Sequence, residues 1–168
     1  MMDQWVYSTT GLHEKDFETG RVLVETWKSK AEYAWDAGIA MGRFLEELRC
    51  GRLVGRRCNS CHRVLFPPRM FCEQCFRPTA EWVTLAETGT VMTYSIVHVR
   101  WDMVRLNQPQ VPAVVAIDGA SQGMGILHLL GEVVPESVKM GMRVQAVWKT
   151  PEEREGSITD IRYFKPIS

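Results

Sequence analysis

The sequence predicts a mainly β protein with a short N-terminal helical segment, in which a four-cysteine zinc ribbon precedes a five-stranded barrel of the oligomer-binding (OB) type. Three observations carry that prediction. Cys58, Cys61, Cys72 and Cys75 stand in a C-x2-C-x10-C-x2-C pattern. One stretch before them has helical apolar periodicity, and the stretch after them breaks into short apolar runs divided by turn signals.

The cysteines decide most. Each close pair can put two thiolates on one tight turn, and two such turns converging on one ion close a tetrahedral Zn²⁺ site. Four sulfurs leave no coordination position for water or substrate, so such a zinc is structural. The competing reading is two disulfides or two redox pairs. The chain begins Met-Met-Asp-Gln-Trp, without the basic and apolar blocks of a secretory signal, and no apolar run approaches the roughly 20 residues that span a bilayer. A cytoplasmic location is expected, and a reducing cytosol favours metal-bound thiolates. Cys50, at the end of the predicted helix, has nothing near it in sequence to mark a nucleophile.

Residues 1–35 form an N-terminal extension, expected to be a docking segment. Val22, Val24 and Thr26 alternate with Leu23, Glu25 and Trp27, which favours extended structure without excluding a short helix. Trp5, Tyr7, Phe17, Trp27, Tyr33 and Trp35 are too many aromatics for a solvated tail, so the segment either folds back or docks on a partner. Residues 36–52 read as an amphipathic helix, with Met41, Phe44, Leu45 and Leu48 on one face, Asp36 as N-cap and Gly51 as terminator.

Residues 53–80 are the ribbon, its cysteine turns joined by a bridge that Pro67-Pro68 stiffens. Residues 81–168 are the barrel, with strands expected at 82–86, 90–99, 113–118, 126–134, 143–148 and 159–164. The longest connection, Arg100–Pro112, carries Trp101, Asp102 and Arg105 and is the natural loop for a ligand or partner.

The net charge is zero but uneven. Residues 1–48 carry −4, residues 49–77 carry +6 from seven arginines against Glu73, and the remainder carries −2. Part of the arginine excess can compensate a zinc tetrathiolate, which itself carries −2, and the rest could meet phosphates. The four histidines give no nucleophile–base set. His62 is surplus beside four thiolates, His98 has Asp102 four residues on but sits at a strand end, His128 shares a strand face with Ile126 and Leu130, and His13 lies in the extension. No phosphate-binding glycine loop, Gly-x-Ser-x-Gly elbow or His-Glu-x-x-His occurs. Autonomous catalysis is not expected.

The helix ending Phe44-Leu-Glu-Glu-Leu-Arg-Cys-Gly-Arg-Leu, then Arg57-Cys-Asn-Ser-Cys, Phe66-Pro-Pro-Arg-Met-Phe-Cys, the Trp82 strand, Gly89-Thr-Val and Gly141-Met-Arg-Val together resemble the DUF35 family. These are small proteins with a rubredoxin-like zinc ribbon fused to an OB-fold. The resemblance runs from about residue 36 to the C-terminus. It implies a non-catalytic accessory subunit of a thiolase-superfamily complex acting on acyl-CoA thioesters, such as benzoylsuccinyl-CoA thiolase. The partner would be a thiolase-fold large subunit in a heterotetramer, with coenzyme A or acyl-CoA as ligand. Arg69, followed by Arg56 and Arg57, are the candidate CoA contacts, against charge compensation or a partner salt bridge. The alternative is a single-stranded nucleic-acid-binding module, for which zero net charge and a net acidic barrel segment are a poor electrostatic footprint.

Overall fold

The computed structural model describes residues 11–25, 28 and 30–167. It divides at Trp35/Asp36 into two units. The first holds one five-residue helix, α1 (Glu14–Glu18), where Asp16 accepts from the His13 backbone N–H at 2.9 Å. No strand forms in its described residues, so the alternation at Val22–Glu25 does not produce one. Phe17, Tyr33 and Trp35 are exposed, while Trp5, Tyr7, Thr26 and Trp27 lie outside the described residues.

The second unit opens with α2 (Gly38–Arg49). The Asp36 carboxylate accepts from Gly38 N–H at 2.9 Å, and Gly51 takes φ +70° past the last turn, where only glycine is unstrained. Ala40, Phe44 and Leu48 are buried, Leu45 is half-buried, and Met41 is exposed. The buried stripe is thus one position narrower than the sequence pattern.

Strands β1 (Leu53–Cys58), β2 (Val64–Leu65) and β3 (Thr79–Leu85) make an antiparallel sheet in the order β2-β1-β3. The strand expected at Trp82–Ala86 therefore pairs with β1, from Leu53↔Leu85 to Cys58↔Thr79, and not with the barrel. The Trp82 ring lies under two guanidiniums, Arg43 of α2 at 4.6 Å and Arg56 of β1 at 4.9 Å, which ties the helix to this sheet.

The barrel is built from β4 (Thr88–Tyr94), β6 (Arg105–Ile117), β7 (Gly125–Leu130), β8 (Arg143–Trp148) and β9 (Ile161–Pro166). The order β4-β8-β9-β7-β6 closes through β4–β6, giving the five-stranded barrel that the sequence predicts. Gly89 and Gly125 let strands close in, since a Cβ would sit 2.4 Å from the Ala116 carbonyl oxygen and 2.6 Å from that of Val115 respectively.

Two expected boundaries move. The strand read at 90–99 breaks at Ser95-Ile96 into β4 and a short β5 (Val97–Val99). The loop expected at Arg100–Pro112 is largely strand, because β6 runs thirteen residues and its first half pairs with β5 as a hairpin outside the barrel. Pro109 and Pro112 suggested a loop, but Pro109 lies where β6 is paired with β5 alone, and Pro112, whose carbonyl accepts from Ser95 N–H at 3.0 Å, turns its missing N–H to the break between β4 and β5. The strand expected at 126–134 ends at Leu130, and Thr159 belongs to a 3₁₀ turn ahead of β9.

Helix, ribbon sheet and barrel share one contiguous apolar core, from Phe44 and Leu48 through Leu53 and Leu65 to Val91, Val115 and Phe164. The ribbon is also stitched to the barrel by a reciprocal pair of hydrogen bonds. Val64 N–H donates to Ser121 Oγ at 2.9 Å, and Ser121 N–H returns a bond to the Val64 carbonyl at 3.0 Å.

The β8–β9 connection is held by Asp160, whose side chain is fully buried. Its carboxylate accepts backbone N–H bonds from Glu155 (3.0 Å), Gly156 (2.8 Å) and Ser157 (3.0 Å), and Arg49 of α2 reaches the Glu155 carbonyl at 3.2 Å. Burial alone pushes the carboxyl upward, yet the three N–H donors hold it below the usual carboxylate range. Asp160→Ala should cost about 2–3 kcal/mol in urea unfolding by orphaning those donors. Because the folded-state value lies below the unfolded one, the parent's advantage over the variant is full above about pH 5 and shrinks as pH falls through the folded value.

Candidate metal centre and surrounding surfaces

Two matching turns build the centre. In the first, the Cys58 N–H donates to the Arg63 carbonyl (2.8 Å) and His62 N–H to the Cys58 carbonyl (3.1 Å). In the second, the Cys72 N–H donates to the Arg77 carbonyl and Phe76 N–H to the Cys72 carbonyl, both at 2.9 Å. Each turn bends back through a left-handed residue after its second cysteine, His62 at φ 58° and Phe76 at φ 52°. β1 and β2 position the first turn, and the isolated bridge Phe71↔Pro78 clamps the second.

All four sulfurs lie within 4.8 Å of one another. Cys58 and Cys75 are 3.4 Å apart, Cys61 and Cys72 3.6 Å, and Cys61 and Cys75 3.8 Å. Disulfide sulfurs stand about 2.05 Å apart, whereas four sulfurs about 2.3 Å from one tetrahedral ion stand about 3.8 Å apart. The donor set therefore fits a zinc tetrathiolate. Cys58 and Cys72 are buried, Cys75 is half-buried and Cys61 is exposed.

Protonation tells the same story. The Cys61 backbone N–H, with that of Ser60, draws the Cys58 thiol down to about 6. Cys75 is pushed up to about 12, first by its hydrogen bond to the Cys58 sulfur and then by burial. Crowded thiols cannot all ionise unless a cation is among them, and a divalent metal is what makes four thiolates at this spacing stable. His62 is exposed on its turn and is not among the clustered ligand atoms.

The candidate arginines are placed unequally. Arg56 is buried and donates to the Thr79 carbonyl at 2.5 Å, so its guanidinium fastens β1 to β3 and faces no solvent. Arg57 pairs with Glu81 at 3.1 Å. Arg69 is about half exposed and loosely paired with Glu73 at 3.5 Å, a carboxylate that Arg63 holds more closely at 2.8 Å. Arg77, which sequence reasoning did not single out, is exposed and makes no ion pair among the described residues.

Trp101 and Asp102 occupy the turn of the β5–β6 hairpin and Arg105 starts β6, so these three stay together although the segment is not a loop. Trp101 is 92% exposed. Asp102 is taken by Arg100 at 2.5 Å, and no pairing of it with His98 forms. The sequence also missed two apolar surfaces. Phe71 and Phe76 stand exposed at the second cysteine turn, and Leu127 and Leu129 on the outer face of β7. Both were assigned to motifs or strands, and the side each residue faces becomes visible only with the register.

Comparison with known proteins follows the same division. The ChsH2 rubredoxin-like zinc ribbon domain matches residues 45–81 and the ChsH2 C-terminal OB-fold domain residues 82–149. A DUF35 domain-containing scaffold protein of Methanocaldococcus jannaschii is 38% identical over 128 residues, 74% of this chain and 87% of the relative. A probable enoyl-CoA hydratase alpha subunit of Thermomonospora curvata is 28% identical over 109 residues, 62% of this chain but 32% of that protein. The solved Ltp2-ChsH2(DUF35) aldolase matches with a TM-score of 0.55 at 23% identity, covering 82% of this chain and 98% of that one, which speaks to the fold. The chain belongs to the DUF35 family of zinc-ribbon and OB-fold scaffold proteins.

Metal analysis of the purified chain should give one zinc per polypeptide. Cys72→Ala, which removes a buried ligand, should lose that zinc and the protease resistance of residues 53–80 while leaving barrel fragments intact.

Proposed function

We propose that this chain is a non-catalytic, zinc-containing accessory subunit of a thiolase-superfamily complex acting on acyl-CoA thioesters, in which it scaffolds the large subunit and helps hold coenzyme A. The observation that carries the reading is the 38% identity with a DUF35 scaffold protein across 87% of that relative. The names of two further matches, an enoyl-CoA hydratase subunit and an aldolase complex, point the same way, toward enzymes that work beside a DUF35 chain.

The surface supports it. Trp101, Phe76 and Leu127 are large apolar side chains with 92%, 78% and 67% exposure, the kind of surface that protein partners cover. A single-strand-binding barrel would need stacking rings and cations on the β6–β7 face. That face presents Pro112, Val114, Leu127 and Leu129 instead.

In this reading the cytoplasmic assembly is a heterotetramer with a thiolase-fold large subunit, and residues 1–35 serve as a docking segment. No helix among the described residues is long and apolar enough to cross a membrane. Arg69 supplies the first phosphate contact, because its only ion-pair partner among the described residues is the carboxylate that Arg63 already holds. Arg57 is the second candidate, at the cost of its Glu81 pair, and Arg56 acts through the ribbon's rigidity.

Tagged chain purified from its host under mild salt should bring down a thiolase-type polypeptide in stoichiometric amount, identified by mass spectrometry. Nucleic acid in place of such a partner would sink the reading. In the complex, Arg69→Ala should weaken CoA binding roughly tenfold, the loss of one charge-assisted contact, with zinc content unchanged. Undiminished affinity would remove Arg69 from the site.

A further inference from the structure

The four thiols of the metal centre are not equivalent. Cys58 and Cys72, the first of each close pair, are buried, and each sulfur accepts two backbone N–H bonds. Those of Cys58 come from Ser60 and Cys61, those of Cys72 from Gln74 and Cys75. Cys61 and Cys75, the second of each pair, accept one N–H bond each, from Arg63 and Arg77. Cys61 is exposed and Cys75 half-buried. The matching of the two turns thus brings the two less shielded sulfurs together, 3.8 Å apart.

Each N–H bond draws electron density from the sulfur it meets and so damps that sulfur's attack on an electrophile. Oxidation of a thiolate follows that density and its access to solvent. Both rank Cys61 first. Distance alone ranks the pairs otherwise, since Cys58–Cys75 and Cys61–Cys72 are closer, at 3.4 and 3.6 Å. Each of those pairs, however, contains one buried sulfur with two N–H bonds.

We propose that the centre is a peroxide-sensitive switch in which Cys61 reacts first and Cys75 resolves it. The Cys61 sulfur attacks one oxygen of a hydroperoxide and the O–O bond breaks. A sulfenic acid remains on Cys61, and the departing oxygen takes a proton to leave as an alcohol or as water. The Cys75 sulfur then bonds to Cys61 Sγ and expels hydroxide, which takes a second proton. Two thiolates have lost two electrons, and hydrogen peroxide has become two waters. Two of the four ligands are then spent, and Cys58 and Cys72 alone do not close a tetrahedral set around an ion. Metal binding and folding are coupled in so small a ribbon, so losing the ion loosens the turn that carries Arg69, Phe71, Phe76 and Arg77. A thiol reductant restores both thiolates and with them the site.

The step needs no partner, so its outcome is independent of the scaffold reading. The test uses the zinc-loaded full chain carrying Cys50→Ser, since Cys50 is exposed and lies outside the cluster. Hydrogen peroxide should release zinc to a chromogenic chelator in step with disulfide formation, and peptide mapping should find Cys61 joined to Cys75 in the first product. Dithiothreitol with added zinc should reverse both changes. Cys61→His keeps four zinc-binding side chains and should hold the metal while slowing peroxide-driven release at least about tenfold. Release from that variant at the parent's rate takes the first step away from Cys61. A first disulfide between Cys58 and Cys75, or between Cys61 and Cys72, overturns the order, and zinc retained with all thiols reduced overturns the switch. Where Cys61→His does not hold zinc, the disulfide map of the parent decides alone.

Discussion

Four thiols held within 4.8 Å of one another must share a cation or keep protons they would otherwise lose. The rest of the second unit depends on how that constraint is met. The ribbon is too small to hold its shape on apolar burial alone. A metal among the four sulfurs would supply rigidity at one end, and the barrel supplies it at the other. β1 is the shared part. Its last residue is Cys58, its Arg56 reaches the Thr79 carbonyl, and its first residues, Leu53 and Val54, lie in the common core with Phe44 and Leu48. One short strand thus joins the cysteine turns to the core that helix, sheet and barrel share.

That coupling suits a scaffold. A part that positions other proteins must hold its own surfaces at fixed separations, and two modules on a flexible tether would not. Here the two Val64–Ser121 hydrogen bonds, one of them to the Ser121 hydroxyl, the Arg63 bond to the Gln122 carbonyl (3.3 Å) and the continuous core tie ribbon to barrel. Asp160 does the same for the β8–β9 connection, and through Arg49 and Glu155 that connection is tied to α2.

What could be read from the sequence followed from short-range rules. Cysteine spacing is geometry over three bonds and one turn, so the cluster was legible, and Phe44 and Leu48 mark one face of a helix at any sequence length. The barrel's existence followed from strand-length runs between turn signals. Its topology did not, because pairing depends on contacts far apart in the chain. The Trp82 strand joined β1 across a register that local pattern does not encode. The hairpin over Val97–Gln110 was hidden by Asn107 and Pro109, which are harmless where only one edge is paired, and by Pro112, whose missing N–H falls at the break between β4 and β5. The exposed leucines of β7 were hidden for a different reason: alternation sets Ile126 and Leu130 on one face and Leu127 and Leu129 on the other, but which face meets solvent is decided by the pairing with β6.

The charge map shows most clearly where one-dimensional reasoning stops. Residues 49–77 carry seven arginines and one acid, which looks like a phosphate-binding field. In three dimensions three of those charges meet acids from just outside the window. Arg49 pairs with Glu46 and Arg52 with Glu47, while Arg57 takes Glu81. Arg56 is spent on a carbonyl and on Trp82, and Arg63 holds Glu73. The field reduces to Arg69, sharing an already occupied carboxylate, and Arg77, both exposed and both on the stretch that carries the second cysteine turn. A polyanion that must be neutralised at many phosphates would find too few free cations there. A ligand with one compact cluster of phosphates needs only one or two forked contacts, and the arrangement has that number. The arginine-rich ribbon is thus a weak argument for nucleic acid, and its two free guanidiniums are what the proposed phosphate contact would draw on.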